Sequence, residues 1–121
     1  EDKNMQVNVL NMLNEEGFTS SSIDQLARKT GYPKDKLMSI LNVAEQEGKL
    51  LRIDGNLMFT QQNFIDLKNK VIKHFISSEI LSVPEFKELA KTSRKYAVPL
   101  LEYFDKEKIT YRDGNSRKLV K

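Results

Sequence analysis

A mainly α fold with small β-hairpins (α+β), built twice over from one supersecondary unit, is predicted for this chain of 121 residues. Three observations predict it. Apolar residues recur at helical spacing in a series of segments, an Asp-Gly turn closes each half, and the second half repeats the order of the first. The composition, 39% apolar and 31% charged, is that of a folded chain rather than a disordered one. No apolar run approaches the roughly 20 residues that a membrane-spanning helix needs. The N-terminus has no basic, apolar and small-residue succession and starts at Glu1 without Met, so the chain is read as an excised soluble fragment; a monomer in the cytoplasm is expected, with which the lack of cysteine is compatible. The absence of cysteine excludes a disulfide scaffold and thiolate metal sites.

Taken in order, Met5, Val9, Met12 and Leu13 mark a first helix ending at Gly17, a residue suited to a left-handed cap. The cluster Thr19-Ser20-Ser21-Ser22, with Asp24 as the nearby acid, opens a short second helix over Ile23, Leu26 and Ala27 that stops near Gly31. Pro33 sits where a first helical turn tolerates a missing N–H, and Leu37, Ile40, Leu41 and Ala44 carry a third helix to Gly48. Leu50 to Ile53 and Leu57 to Phe59, joined by Asp54-Gly55-Asn56, read as a hairpin. Three helices and a hairpin in about 60 residues are the winged-helix plan, in which the hairpin is the wing.

The second half follows the same plan. Phe64, Leu67, Val71, Ile72, Phe75 and Ile76 form a long first helix, and Ser82 with Glu85 is a capping box opening Phe86, Leu89 and Ala90. Tyr96, Leu100, Leu101 and Phe104 form a third helix, and Ile109 to Arg112 and Arg117 to Val120 flank the turn from Asp113 to Ser116. Leu26-Ala27 is matched with Leu89-Ala90, Glu45-Gln46-Glu47 with Asp105-Lys106-Glu107, and Asp54-Gly55 with Asp113-Gly114. The expected architecture is two tandem winged helices, residues 1–60 and 61–121, joined by the short linker Thr60 to Asn63, which should hold them in a nearly fixed relation.

Charge divides the halves. Residues 1–60 hold 7 basic and 9 acidic side chains, whereas residues 61–121 hold 13 and 8. The stretch Lys108 to Lys121 carries five cations, among them Lys118, against the single acid Asp113. A polyanion-facing second half and a spacer or orienting first half follow from that asymmetry.

Enzyme chemistry has no residues to rest on. His74 is the only histidine and lies off the apolar face of its helix, as a solvated position. Gly48-Lys49-Leu50 lacks the first glycine and the hydroxyl of a phosphate loop. Paired acids such as Glu15-Glu16 fall at helix ends, where dipole and solubility explain them. No catalytic residue, metal or cofactor is expected.

The informative segment is Thr92-Ser93-Arg94-Lys95-Tyr96, where hydroxyls and cations crowd the start of the sixth helix. Unpaired N–H groups and the positive dipole end make such a terminus receptive to phosphate. Arg112 and Arg117 stand on the two wing strands across a turn that Gly114 and Asn115 sharpen, giving a second basic edge. Tyr96 or Tyr111 could stack on an unpaired base, against core packing as the rival role for both. Further along, Glu102, Asp105 and Glu107 are acidic and Pro99 interrupts the ladder, so the helix suits end-on grip of an irregular RNA better than a DNA major groove.

The run Thr92 to Asp105, followed by Thr110, Arg112, Gly114 and Arg117, closely resembles the last winged helix of the bacterial selenocysteine-specific elongation factors. The resemblance implies the third and fourth winged helices of a translation factor whose GTPase and aminoacyl-tRNA-binding domains lie upstream. It implies that the last domain holds the selenocysteine insertion hairpin of the messenger RNA, with ribosome and selenocysteinyl-tRNA engaged through the full-length protein. The RNA-binding set is then Ser93, Arg94, Lys95, Tyr96, Arg112, Gly114, Asn115, Arg117 and Lys118. The alternatives are a winged-helix DNA-binding transcription regulator and a protein-interaction scaffold.

Overall fold

The computed structural model describes residues 2–19, 21–53 and 57–121. The turn Asp54-Gly55-Asn56 and Ser20 of the serine cluster lie outside these residues. The elements are α1 (Asp2–Glu16), α2 (Ile23–Thr30), α3 (Lys34–Gln46), β1 (Leu50–Ile53), β2 (Leu57–Thr60), α4 (Gln61–Ser77), β3 (Leu81–Ser82), α5 (Val83–Ala90), α6 (Arg94–Lys106), β4 (Thr110–Asp113) and β5 (Ser116–Leu119). This mostly helical chain with small antiparallel sheets is a winged-helix fold, and it divides into two compact units, Glu1–Phe64 and Ile65–Lys121. The expected linker does not exist as a loop: Thr60 ends β2 and Gln61 opens α4.

The short helices begin where a side chain satisfies the orphan amides. Ser22 accepts from the Gln25 amide and Gln25 accepts from the Ser22 amide, so glutamine, not Asp24, completes the box. Ser82 and Glu85 form the same reciprocal pair, and the amide of Ser82 holds the Glu85 carboxyl below its usual range. Aligning the two caps corrects the sequence pairing of Leu26 with Leu89: the equivalent of Leu26 is Phe86, 60 positions on, and both are fully buried.

The same spacing relates the rest of the two units from the second helix to the first wing strand. Leu37, Ile40, Leu41 and Ala44 are buried in α3, and Ala97, Leu100, Leu101 and Phe104 in α6. Volume is exchanged between positions rather than lost, with Leu37 and Ala44 in one unit against Ala97 and Phe104 in the other. Phe86 and Phe104 meet edge to face with ring centroids 5.6 Å apart. The sequence missed β3, whose two residues pair with β5 to make a sheet in the order β3-β5-β4. It also left His74 in solvent, whereas the ring donates through Nε2 to the Ile80 carbonyl at 2.8 Å and ties α4 to the segment before β3.

Both third helices end in a left-handed residue, Gly48 (φ 78°) and Lys108 (φ 60°). The next amide in each case returns to the carbonyl of Ala44 or Phe104, turning the chain into the wing. A side chain in this region carries a steric cost that glycine avoids. Lys108→Gly is therefore expected to stabilise the second unit by about 0.5 to 1 kcal/mol, read as a higher urea midpoint at unchanged slope.

Candidate nucleic-acid interface

In the second unit the first turn of α5, the outer face of α6 and the wing enclose an open groove of about 450 Å3, lined among others by Ser82, Pro84, Arg94, Glu102, Arg112 and Asn115. Arg94 is the first residue of α6 and is exposed. No ion pair joins it to a carboxylate among the described residues. It sits where a helix leaves its first amides without intrahelical acceptors and presents its positive dipole end. Ser93 caps by backbone alone (φ −93°, ψ 167°), its side chain making no capping bond, so the hydroxyl is not committed to the helix. Glu102 is eight residues further, about 12 Å along the axis at the usual helical rise.

Arg112 enters the groove from β4. Its Nε donates to the Gly114 carbonyl at 2.9 Å, anchoring the guanidinium over the turn, and Gly114 itself turns the chain at φ 63°. Asn115, beside it, is exposed. Lys95 and Tyr96 share the first turn of α6 without lining the groove, and the Lys95 ammonium lies 5.4 Å from the Tyr96 ring centroid. Tyr96 is half-buried and Tyr111 is 48% exposed, so core packing does not account for Tyr111. Pro99 does not break α6, which runs on to Lys106.

Two members of the sequence-derived set sit elsewhere than expected. Arg117, placed by the sequence on an exposed basic edge, is 5% exposed. Its Nε donates to both carboxylate oxygens of Asp105, at 3.2 and 2.9 Å, and Asp105 also accepts from the Thr110 hydroxyl at 2.7 Å. The guanidinium is thus a buried strut between α6 and the wing, with its charge balanced internally. Lys118 pairs across the hairpin with Tyr111, on the face opposite to Arg112 and Arg117. There its ammonium contacts Asp113 at 3.3 Å, and that hydrogen bond raises its pKa.

The structure therefore brings Arg94, Arg112 and Asn115 to one groove, whose floor the nearly buried Arg117 also lines, with Ser93, Lys95 and Tyr96 at the adjoining helix start, and turns Lys118 away. Ser82, Val83 and Pro84 form a wall that the sequence did not reveal: the capping box located the start of α5, but nothing in it says which element that start faces.

Residues 73–119 match the family model described as elongation factor SelB, winged helix. The chain is 28% identical over 109 residues to the selenocysteine-specific elongation factor of Desulfomicrobium baculatum, covering 90% of this chain but only 15% of that protein's length. Among solved structures, the mRNA-binding domain of elongation factor SelB from E. coli, in complex with SECIS RNA, superposes with a TM-score of 0.79 at 22% identity, over 100% of this chain and 98% of that one. A bacterial selenocysteine-specific elongation factor, EF-Sec, gives a TM-score of 0.72 at 25% identity, with 100% of this chain matched to 18% of that one.

The two arginines named for opposite roles separate in a stability measurement. Arg117→Ala strands the Asp105 carboxylate and is expected to cost the second unit roughly 3 kcal/mol in urea denaturation. Arg94→Ala is expected to stay within about 0.5 kcal/mol of the parent.

Proposed function

We propose that this chain, whose residues 73–119 match the winged-helix family model of elongation factor SelB, is a non-catalytic RNA-binding module whose second unit grips the selenocysteine-insertion hairpin of a messenger RNA. The observation that carries the reading is the groove shared by Arg94 and Arg112, two exposed cations without a carboxylate partner among the described residues, beside the amide-rich start of α6. Proteins bearing the same fold include an mRNA-binding domain solved in complex with SECIS RNA and a bacterial selenocysteine-specific elongation factor.

The chemistry divides into a positioning part and a reading part. Arg94, Lys95 and Arg112 with the helix-end amides hold successive phosphates, which fixes the RNA without reading it. Ser93 and Asn115 offer hydrogen bonds, and Tyr96 an aromatic face, to bases that a hairpin loop splays outward. Glu102 lines the same groove further along α6 and repels a backbone laid along the helix, so the groove accepts a bend at one end and disfavours a straight duplex. The longer protein in this reading is a cytoplasmic GTPase that brings selenocysteinyl-tRNA to the ribosome. The first unit serves as spacer and orienting element, and the module itself holds no cofactor.

Titration with a SECIS-type RNA hairpin tests this. Arg94→Ala and Lys95→Ala should each weaken binding by roughly 1.5 to 3 kcal/mol, while Lys36→Ala in the first unit should leave it unchanged. Three cations imply a slope of log K against log salt of roughly −2 to −3. Changing a loop base should weaken binding at fixed salt, and swapping paired stem bases should not. A much steeper slope with equal affinity for unrelated loops would show a nonspecific polyanion binder and defeat the proposal.

A further inference from the structure

The first unit contains the same groove. Ser22, Ile23, Asp24, Lys34, Met38 and Arg52 line a depression of about 470 Å3. Sixty positions on, Ser82, Val83, Pro84, Arg94, Val98 and Arg112 line the one of about 450 Å3. Both therefore carry a cation at the first residue of the third helix and an arginine on the first wing strand. The difference lies in what those cations touch.

In the first unit each faces a carboxylate of its own unit. The Lys34 ammonium is ion-paired with Asp24, which lies one residue into α2, and that contact holds the Asp24 carboxyl below its usual range. Arg52 has Nε 3.7 Å from Glu45 Oε1 and donates from Nη2 to Asn42 Oδ1 at 3.4 Å. In the second unit both neutralising contacts are removed by different means. Pro84 occupies the place of Asp24 and has no charge to offer Arg94. Asp105 occupies the place of Glu45, but its two oxygens are taken by Arg117 and Thr110. Arg117 lies directly across the hairpin from Arg112, at the register position where the first wing has Met58 across from Arg52.

We infer that two differences between the copies, Asp24 against Pro84 and Met58 against Arg117, decide which unit accepts RNA phosphate. The inference rests on the RNA-binding reading above and adds the residues that set which copy performs it. A carboxylate already ion-paired with the groove cation competes with phosphate as an intramolecular ligand, whereas Glu102 makes no ion pair with Arg94 or Arg112 among the described residues. Arg117 is on this account a positioning residue. It does not touch RNA; it occupies Asp105 so that Arg112 remains open.

The test uses the whole chain and a SECIS-type RNA hairpin. Pro84→Asp installs beside Arg94 the carboxylate that Asp24 places beside Lys34, at a helix start where an acid is tolerated. Affinity should fall roughly tenfold or more, whereas Pro84→Ala should change it less than about twofold. Arg117→Met should also weaken binding, adding Asp105→Asn should restore it, and the weakening should vanish in an Arg112→Ala background, a dependence on Arg112 that a merely structural strut would not show. If Pro84→Asp binds as tightly as the parent while Arg94→Ala does not, the inference fails and the RNA-binding reading stands. If Arg117→Met is folded and Asp105→Asn gives no rescue, the role assigned to Arg117 is overturned. If neither Arg94→Ala nor Pro84→Asp weakens binding, the RNA-binding reading itself falls.

Discussion

The carboxylate of Asp105 accepts from Thr110 on β4 and from Arg117 on β5, tying the end of α6 to both strands of the wing. Everything proposed for the second unit depends on that junction. It sets the angle at which the hairpin leaves the helix, and hence whether Arg112 and Arg94 line one groove. It also decides which of the two cross-strand arginines stays inside the protein. A charge pair so nearly buried is weak evidence of added stability, because desolvation offsets most of the Coulombic gain. Its contribution here is to specify one geometry and to keep an acid away from the cation that remains outside.

Two copies of one plan allow each device to be compared with its counterpart. The cores interchange large and small residues at equivalent positions and keep the same buried pattern, which shows that packing constrains total volume more tightly than identity. The surfaces have diverged in a different way. The first unit sets carboxylates against its groove cations, Asp24 against Lys34 and Glu45 against Arg52, and the second leaves them open beside a helix start. An unsatisfied exposed cation costs little while water solvates it, so the open form is compatible with stability and available to a phosphate. Net charge, negative over residues 1–60 and positive over 61–121, is the coarse signature of this local difference.

Most of the fold was legible in the sequence because its signals are local. The serine caps, the left-handed glycines and the helical spacing of Leu37, Ile40, Leu41 and Ala44 each act within a few residues. The strand β3 was not legible, since two residues carry no periodicity and pair only with a partner more than thirty positions away. The site was half legible. Ser93, Arg94 and Lys95 were visible as a charged helix start. Arg112 and Arg117 were indistinguishable, because they alternate onto the same side of the hairpin and differ only in their distance from Asp105, which sequence spacing does not reveal. Lys118 was drawn in by composition alone, although strand alternation from Arg117 places it on the other face.

The central claim is that one groove in the second unit, and not its counterpart in the first, receives RNA. Backbone amide shifts of the whole chain, followed while a SECIS-type hairpin RNA is added, test it most directly. The account predicts the largest shifts at Arg94 to Tyr96 and Arg112 to Asn115, with Lys34 to Lys36 unmoved. Shifts centred on Lys34 to Lys36, or on the wing face that carries Tyr111 and Lys118, would contradict it.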